Sequence, residues 1–509
     1  MNRKAVMKVR PMPKTDRLPG ALYTASQVRE LDRQAIERFG IPGVELMGRA
    51  GASAFALLQE RWPSARRVCV LVGTGNNGGD GFVLARLAKE AGFQVLVLQL
   101  GDREAIGGDA RAHAAAWDQA GGEWRPFDAI PADTDLIVDA ILGTGLKREL
   151  SGQYKAAVEA VNTNQSPVFS LDIPTGLDSD RGIILGDAVH AQATISFVAL
   201  KRGMFTADAV DCCGAIHFDA LGIPAAVYAS QILDTRRMDW AQQATRVSPR
   251  RRSAHKGHFG HVLVVGGDHG FGGAALLAGS SAVRSGAGLV SIATRKRHVS
   301  GILAACPELM THAVKEAAQV RSLAQAASVV VAGPGLGREK WGQHLFEQVL
   351  ETQRPLVLDA DALNLLAEHD GLYRDDWVLT PHPGEAARLL RTCVAEIHED
   401  RFAAASLLQR RYGGTVVLKG AGTLVAVPGN RPAGLCSDGN PGMASGGMGD
   451  VLSGVIAAYI AQGWSPAEAA ELGVCLHAAA ADRAARVEGE RGLLASDLLP
   501  HLRSLGNPE

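Results

Sequence analysis

Residues 67–82 read RVCVLVGTGNNGGDGF, an apolar, partly β-branched run that stops at a glycine turn and gives way to a helical pattern beyond Asp80. A strand without polar alternation is covered on both faces, so this stretch calls for a parallel sheet between two layers of helices. Its glycines would let main-chain amides and a helix N-terminus approach a phosphate. Gly73, Gly75 and Gly78 satisfy the spacing G-x-G-x-x-G, although a plain tight turn after a strand satisfies it equally well. Asn76, Asn77 and Asp80 are what a plain turn leaves unexplained. Three side chains offering carbonyl or carboxylate oxygens in one turn suit a hard cation.

Upstream, Thr24 to Gln27 has the spacing of a capping box, and Val28, Leu31, Ala35 and Ile36 recur on one helical face until Gly40 and Pro42. A second helix runs through Leu46, Met47, Ala50, Ala54 and Leu57. Downstream, QVLVLQL (94–100), LIVDAI (136–141) and PVFSLDIP (167–174) continue the alternation of strand and helix. Two of these strand ends carry acids: Asp139 in VDAILGTGLKREL, and Asp172 with Thr175 in LDIPTGLD. The C-terminal ends of parallel strands line one crevice, so the three loops should converge. Asn77, Asp139 and Thr175 then form an all-oxygen set that favours an alkali or alkaline-earth ion over zinc. Asp172 is left for acid–base work. The alternative for each aspartate is a helix cap.

A polar, basic segment, TRVSPRRRSAHKG (245–257), is expected to link this half to a second alternation that starts at HVLVVGGD (261–268). That half ends in two long helices, from Asp450 to about Ala461 and from Pro466 to about Arg486. No GxxxxGK[ST] occurs, which excludes a Walker-type loop. Instead ASGGMGDVLSG places glycines at a helix start, where amides from Gly446 to Gly449 suit an anion. Asp450 follows at once, and a carboxylate beside a phosphate is repelled unless it moves a proton or holds a metal. KGAGT (419–423) offers Lys419 and turn amides, and TPHPGE (380–385) fixes His382 between prolines. GGDHGFGG with Ala274, and GPGLG with Gly335, complete a ring of glycine-rich strand ends where a flat ring could approach the backbone.

Composition sets the frame. A chain of 509 residues, 47% apolar and 21% charged, exceeds what one core usually supports. A net charge of -1 supplies no field for nucleic acid or an anionic membrane. The seven cysteines include no CxxC pair, which argues against a disulfide framework or structural zinc and fits a reducing cytoplasm. The basic stretch 1–17 is expected to be a frayed tail, and no run approaches the roughly 20 apolar residues of a membrane span. His255, His258 and His261 cross into a strand without nearby acids and read as solvated rather than as metal ligands.

With NNGGDG, VDAILGTG and DIPTGLD in view, residues 20–220 resemble the NAD(P)HX epimerase family. The resemblance implies a Rossmann-like three-layer domain over 18–235. Carried across by motif, Asn76, Asn77, Gly78, Gly79 and Asp80, with Gly143, Thr144, Gly145, Leu146, Lys147, Arg148 and Glu149, would hold the dinucleotide. Asn77, Asp139 and Thr175 would bind potassium, and Asp172 would touch the hydrated nicotinamide. Thr175 stands where many relatives have serine and keeps the hydroxyl.

On TPHPGE, KGAGT and GGMGDVLSG, residues 245–505 are similar to the ADP-dependent NAD(P)HX dehydratase family, whose α/β fold is ribokinase-like. This resemblance implies ADP on Lys419, Gly420, Ala421, Gly422, Thr423 and Gly449, and the hydrated dinucleotide on Ala274, Gly335, His382 and Asp450. Mg2+ would accompany the nucleotide, and Asp450 would be the base, by analogy of site and fold. The two domains in one chain resemble the bifunctional repair enzymes, with NADHX and NADPHX as substrates and a homo-oligomer expected. Rival readings are an NAD-dependent dehydrogenase using Gly73, Gly75, Gly78 and Asp102, a ribokinase-like small-molecule kinase, and a nucleotide-sensing scaffold.

Overall fold

Every residue of the strand Arg67–Val72 except the first is buried, and its side chains divide between two apolar clusters. Val68, Val70 and Val72 join Phe82 and Leu84 in one, while Cys69 and Leu71 join Ile137 and Val158 in the other. That two-sided cover is what the uninterrupted apolar run requires. The structure, a computed structural model, describes residues 18–507. The basic stretch 1–17, expected to be a frayed tail, lies outside the described residues. The chain divides into two compact units, Met1–Leu233 and Asp234–Glu509.

The first unit has a sheet of β1 (Arg67–Val72), β2 (Gln94–Gln99), β3 (Glu123–Pro126), β4 (Leu136–Ala140), β5 (Val168–Leu171), β6 (Ala193–Phe197) and β7 (Ala215–Asp219). The spatial order is β3-β2-β1-β4-β5-β6-β7, with all pairs parallel. Strand order reverses between β1 and β4, so a crevice opens there beyond their carboxyl ends. The capping box at Thr24 and Gln27 is present, starting the helix Ala25–Glu37. Val28, Leu31 and Ala35 are buried, but Ile36 is 37% exposed and does not join that core face. The helix expected after Asp80 begins earlier, at Asn76, with Gly75 as N-cap, so Asn76–Asp80 form its first turn rather than a loop.

The second unit contains β8 (Thr235–Met238), β9 (His261–Val265), β10 (Leu289–Thr294), β11 (Met310–Ala313), β12 (Val329–Ala332), β13 (Leu356–Leu358), β14 (Trp377–Leu379), β15 (Thr415–Leu418), β16 (Leu424–Ala426) and β17 (Ala433–Cys436). Their order is β8-β17-β16-β15-β14-β13-β12-β9-β10-β11. Pairs from β15 to β11 are parallel, and β16 is antiparallel to both neighbours. The reversal lies between β9 and β12, placing the loops GGDHGFGG and GPGLG side by side.

The segment 245–257 is not the linker, because the division falls between Leu233 and Asp234. β8 pairs in parallel with β17 and belongs to the second unit. Its sequence, TRRM, hides this: Arg237 is buried and ion-paired with Asp239 at 2.6 Å, so charge masks a core strand. His255 stacks on His258, and His261 bonds to Ser291, leaving no histidine cluster poised for metal among the described residues. All seven cysteines are free. Among the described residues no helix is long and apolar enough to cross a membrane.

Candidate active sites

In the first crevice two glycines are fixed by packing rather than by ligand approach. A Cβ on Gly78 would collide with the carbonyl of Gly73, and one on Gly79 with the Met47 sulfur. This draws the first turn of the helix Asn76–Glu90 tightly onto the end of β1. Asn77 is thereby buried, and both Oδ1 and Nδ2 of its amide lack a hydrogen-bond partner. Such an orphan is costly unless a ligand completes it.

Asp139, fully buried at the end of β4, gathers the neighbouring loops. It accepts from Ser170 Oγ at 2.9 Å, Thr175 N at 2.8 Å and Thr175 Oγ1 at 2.7 Å. Thr175 Oγ1 accepts in turn from Leu142 N at 3.0 Å. Burial raises the Asp139 carboxyl above its usual range, against the lowering effect of the Thr175 and Ser170 bonds. Asn77 and Asp172 meet Gly143 from one side: a Cβ there would lie 3.5 Å from Asn77 Cβ and 3.0 Å from Asp172 Oδ2.

Asp172 adopts φ 66°, a left-handed conformation that a non-glycine residue occupies only under constraint. Its carboxylate accepts a hydrogen bond from Lys201, which is fully buried and also donates to Ser196 Oγ at 2.9 Å. Sequence reading missed Lys201, and it missed Asp32. Asp32 lines the same cavity of about 360 Å³ with Asn76, Asn77, Asp80, Gly143, Thr144, Gly145 and Asp172. Burial, then the nearby Asp172, pushes the Asp32 carboxyl up to about 7, and burial pushes Asp80 well above its ordinary value. The i, i+4 spacing of Val28, Asp32 and Ile36 was the available signal: an acid between two apolar residues of one helical stripe. Of the remaining loop, Leu146 packs on an apolar cluster, and Lys147, Arg148 and Glu149 are exposed and do not line the cavity. Asp102 caps a short 3-10 turn by accepting from Glu104 N at 3.0 Å, which accounts for it without a ribose.

In the second crevice the loops at the strand reversal interlock. Gly267 N donates to Pro334 O at 3.0 Å, and a Cβ on Gly335 (φ 57°) would lie 2.6 Å from Phe271 Cβ and 3.3 Å from Ala274 Cβ. Ala274 and Gly335 therefore adjoin. His382 is the N-cap of the helix Pro383–Leu390, its Nδ1 accepting from Gly384 N at 2.9 Å while Glu385 bonds back to His382 N at 2.8 Å. An accepting Nδ1 puts the proton of the neutral ring on Nε2. Burial, then the charge of Lys419, holds the imidazole below its usual value.

KGAGT is the turn of the hairpin joining β15 and β16. Buried Arg401 lies beneath it, directed at the carbonyls of Leu418, Lys419 and Gly422, each at 3.4 Å. Lys419 points into the crevice, where its Nζ is 2.7 Å from Asp359 Oδ1 and 3.8 Å from Glu385 Oε2. Ser453 Oγ donates to the other oxygen of Asp359 at 2.9 Å. The helix Met448–Ala461 starts here from Gly447 (φ 90°), and a Cβ on Gly449 would lie 3.2 Å from Lys419 Nζ. Burial, then Asp359, pushes the Asp450 carboxyl up to about 7, and burial does the same for Glu385. Asp359 and Glu385 were not picked out in the sequence. Asp359 ends the run PLVLD as Asp139 ends LIVD, and that parallel was its signal.

Two α/β units, each with acids and glycine turns converging where strand order reverses, define a two-domain enzyme of small, phosphate-bearing substrates, Rossmann-like in its first unit and ribokinase-like in its second. Residues 262–503 match the family model described as NAD(P)H-hydrate dehydratase, and 43–203 match the YjeF-related protein N-terminus. The bifunctional NAD(P)H-hydrate repair enzyme of Coxiella burnetii is 48% identical over 96% of this chain and 99% of its own length. That of Escherichia coli K12 is 44% identical over 97% and 95%. A ribokinase-like superfamily protein from Enterococcus faecalis V583 covers 54% of this chain and 95% of its own at 29% identity, with a TM-score of 0.50. The chain belongs to the bifunctional NAD(P)H-hydrate repair enzymes, which join an epimerase domain to a dehydratase domain.

Proposed function

We propose that the first unit interconverts the R and S forms of the C6 hydrate of NADH and NADPH, and that the second dehydrates the S form at the expense of the phosphoanhydride of ADP. The observation that carries the reading is the second crevice, where Asp450 stands at a glycine-rich helix start and burial, then the charge of Asp359, pushes its carboxyl up to about 7, suited to proton transfer at neutral pH. Asp450 takes the proton of the hydrate hydroxyl, whose oxygen attacks the terminal phosphoryl group. The phosphate ester formed at C6 then leaves with a proton lost from C5, restoring the ring double bond and giving AMP and phosphate. Gly449 and the turn Lys419, Gly420, Ala421, Gly422 and Thr423 receive the nucleotide; Ala274, Gly335 and His382 receive the dinucleotide.

Mg2+ on the nucleotide's phosphates would spread the charge of the transferring group. Among the described residues no three acids stand close enough to hold it themselves, so the nucleotide's phosphates would supply most of its ligands, with Asp359 and Asp450 nearby. In the first unit, potassium on Asn77, Asp139 and Thr175 would hold the loops after β1, β4 and β5 together; the orphaned Oδ1 of Asn77 supports that placement. Asn76 to Asp80 and Gly143 to Gly145 receive the dinucleotide, and Asp172 reaches the hydrate. Seven free thiols suit a reducing cytoplasm. The test is incubation with the epimer mixture, ADP, Mg2+ and potassium, following reduced-nicotinamide absorbance. Asp450→Ala should abolish its return and spare epimerisation, and Asp172→Ala should do the reverse; full dehydration by Asp450→Ala would overturn the assignment.

A further inference from the structure

The epimerase cavity holds more proton-carrying groups than Asp172 alone. Asp172 comes from the loop after β5 and is ion-paired with Lys201, whose ammonium is fully buried and further held by Ser196 Oγ at 2.9 Å and Phe197 O at 3.3 Å. Asp32 comes from a different element, the helix Ala25–Glu37, and lines the same cavity with Val28, Arg29 and Ile36 of that helix. Its carboxyl has no hydrogen-bond or ion-pair partner among the described residues. A half-buried acid at the wall of a cavity, left unpartnered, performs no structural service that the fold shows.

Inverting C6 of the hydrate requires one bond at that carbon to break and re-form on the other face. C6 carries a hydroxyl and the ring nitrogen N1, so it can open as any hemiaminal does: the hydroxyl loses its proton, C6=O forms, the C6–N1 bond electrons go to N1, and N1 takes a proton. Rotation about C5–C6 followed by the reverse transfers closes the ring with opposite configuration and no net change in atoms. Such a path needs an acceptor and a donor at two positions. We propose that Asp32 is a second catalytic residue of the epimerase, giving and retrieving the proton at N1 while Asp172 takes and returns that of the hydroxyl, with Lys201 as the residue that positions Asp172. The proposal rests on the epimerase reading of this cavity.

The electrostatics agree with the division of roles. Lys201 is bonded to Asp172 and not to Asp32, though its charge lowers the Asp32 carboxyl somewhat, while Asp80 and Asp172 face Asp32 as like charges. Burial and Asp172 push Asp32 up to about 7, so at neutral pH much of it carries the proton a donor needs.

The test compares wild type, Asp32→Asn, Lys201→Met and Lys201→Arg in the full chain, following conversion of purified R hydrate to S hydrate above the enzyme-free rate. Because the second unit is a separate compact body, folding of the first is checked by itself: the excised unit 1–233 of each variant should keep the circular dichroism and cooperative melting of its wild-type counterpart. Asp32→Asn should lower kcat for epimerisation about 100-fold or more with KM changed less than about threefold. Lys201→Met should lower kcat likewise, and Lys201→Arg should restore part of it. An Asp32→Asn protein that epimerises within about threefold of wild type, or that loses only KM, overturns the proposal. A wild-type chain that dehydrates but never epimerises instead overturns the reading on which it rests.

Discussion

At the scale of single residues, both crevices work by the same physical device: a carboxyl taken out of water beside one buried ammonium. In the second unit the consequence for pH can be worked out. Asp450 sits about 7, so as a base it is active when deprotonated. The dehydration rate should rise about tenfold per pH unit below that point and level above it, as read from kcat between pH 5 and 9. Stability should move the opposite way. A carboxyl raised from 3.8 to about 7 on folding binds more protons in the folded state between those values, so its favourable contribution is full below 3.8 and lost as pH rises through about 7. Asp450→Asn should therefore be more stable than wild type at pH 8, by on the order of 2 kcal/mol, and match it near pH 4, as denaturant unfolding would report. In the first unit, Thr175→Ala removes a hydroxyl bonded to Asp139 at 2.7 Å. On the proposed potassium site, epimerisation should then require at least about tenfold more potassium, measured by titrating the salt against a choline background.

At the scale of elements, close packing of backbone sets the sites. Gly78 lets the first turn of the helix Asn76–Glu90 press onto Gly73. Gly78→Ala should displace Asn77 and cost about 1–3 kcal/mol, with epimerisation lost and dehydration kept. Arg401 shapes the hairpin turn of KGAGT through carbonyls at 3.4 Å. Arg401→Met leaves those carbonyls without their cation, and the expected result is a rise in KM for ADP of about tenfold or more with epimerisation unchanged. Much at this level was legible beforehand. The apolar strands, the capping box at Thr24 and the two long C-terminal helices declare themselves by period and by cap. Asp139 and Asp172 stood out because each ends an apolar run, Asp450 because it follows a glycine turn, and His382 because prolines bracket it. Asp32, Lys201 and Asp359 did not, since helices and the turns after strands carry charged residues routinely, and only the fold shows which of them point inward. The start of the helix at Asn76 was hidden too, because glycines read as loop when what they permit is contact between backbones.

At the scale of the whole molecule, the boundary follows burial rather than polarity. The basic stretch 245–257 looks like a connector, yet β8 lies before it and is stitched to β17 through four aligned residue pairs from Thr235↔Ala433 to Met238↔Cys436. A fragment starting at 234 should fold and dehydrate. One starting at 245 loses β8, the buried Arg237–Asp239 pair at 2.6 Å and Trp240, and should express poorly or melt at least about 5 °C lower, as scanning calorimetry would report.

The left-handed backbone of Asp172 also restricts which replacements the position tolerates. At φ 66° a side chain with a branched β-carbon is strongly disfavoured, whereas glycine and asparagine sit there cheaply. In a lineage released from any need to repair the hydrate, this site should drift first to those two residues, so a glycine or asparagine here would mark a decayed copy whose fold is still sound.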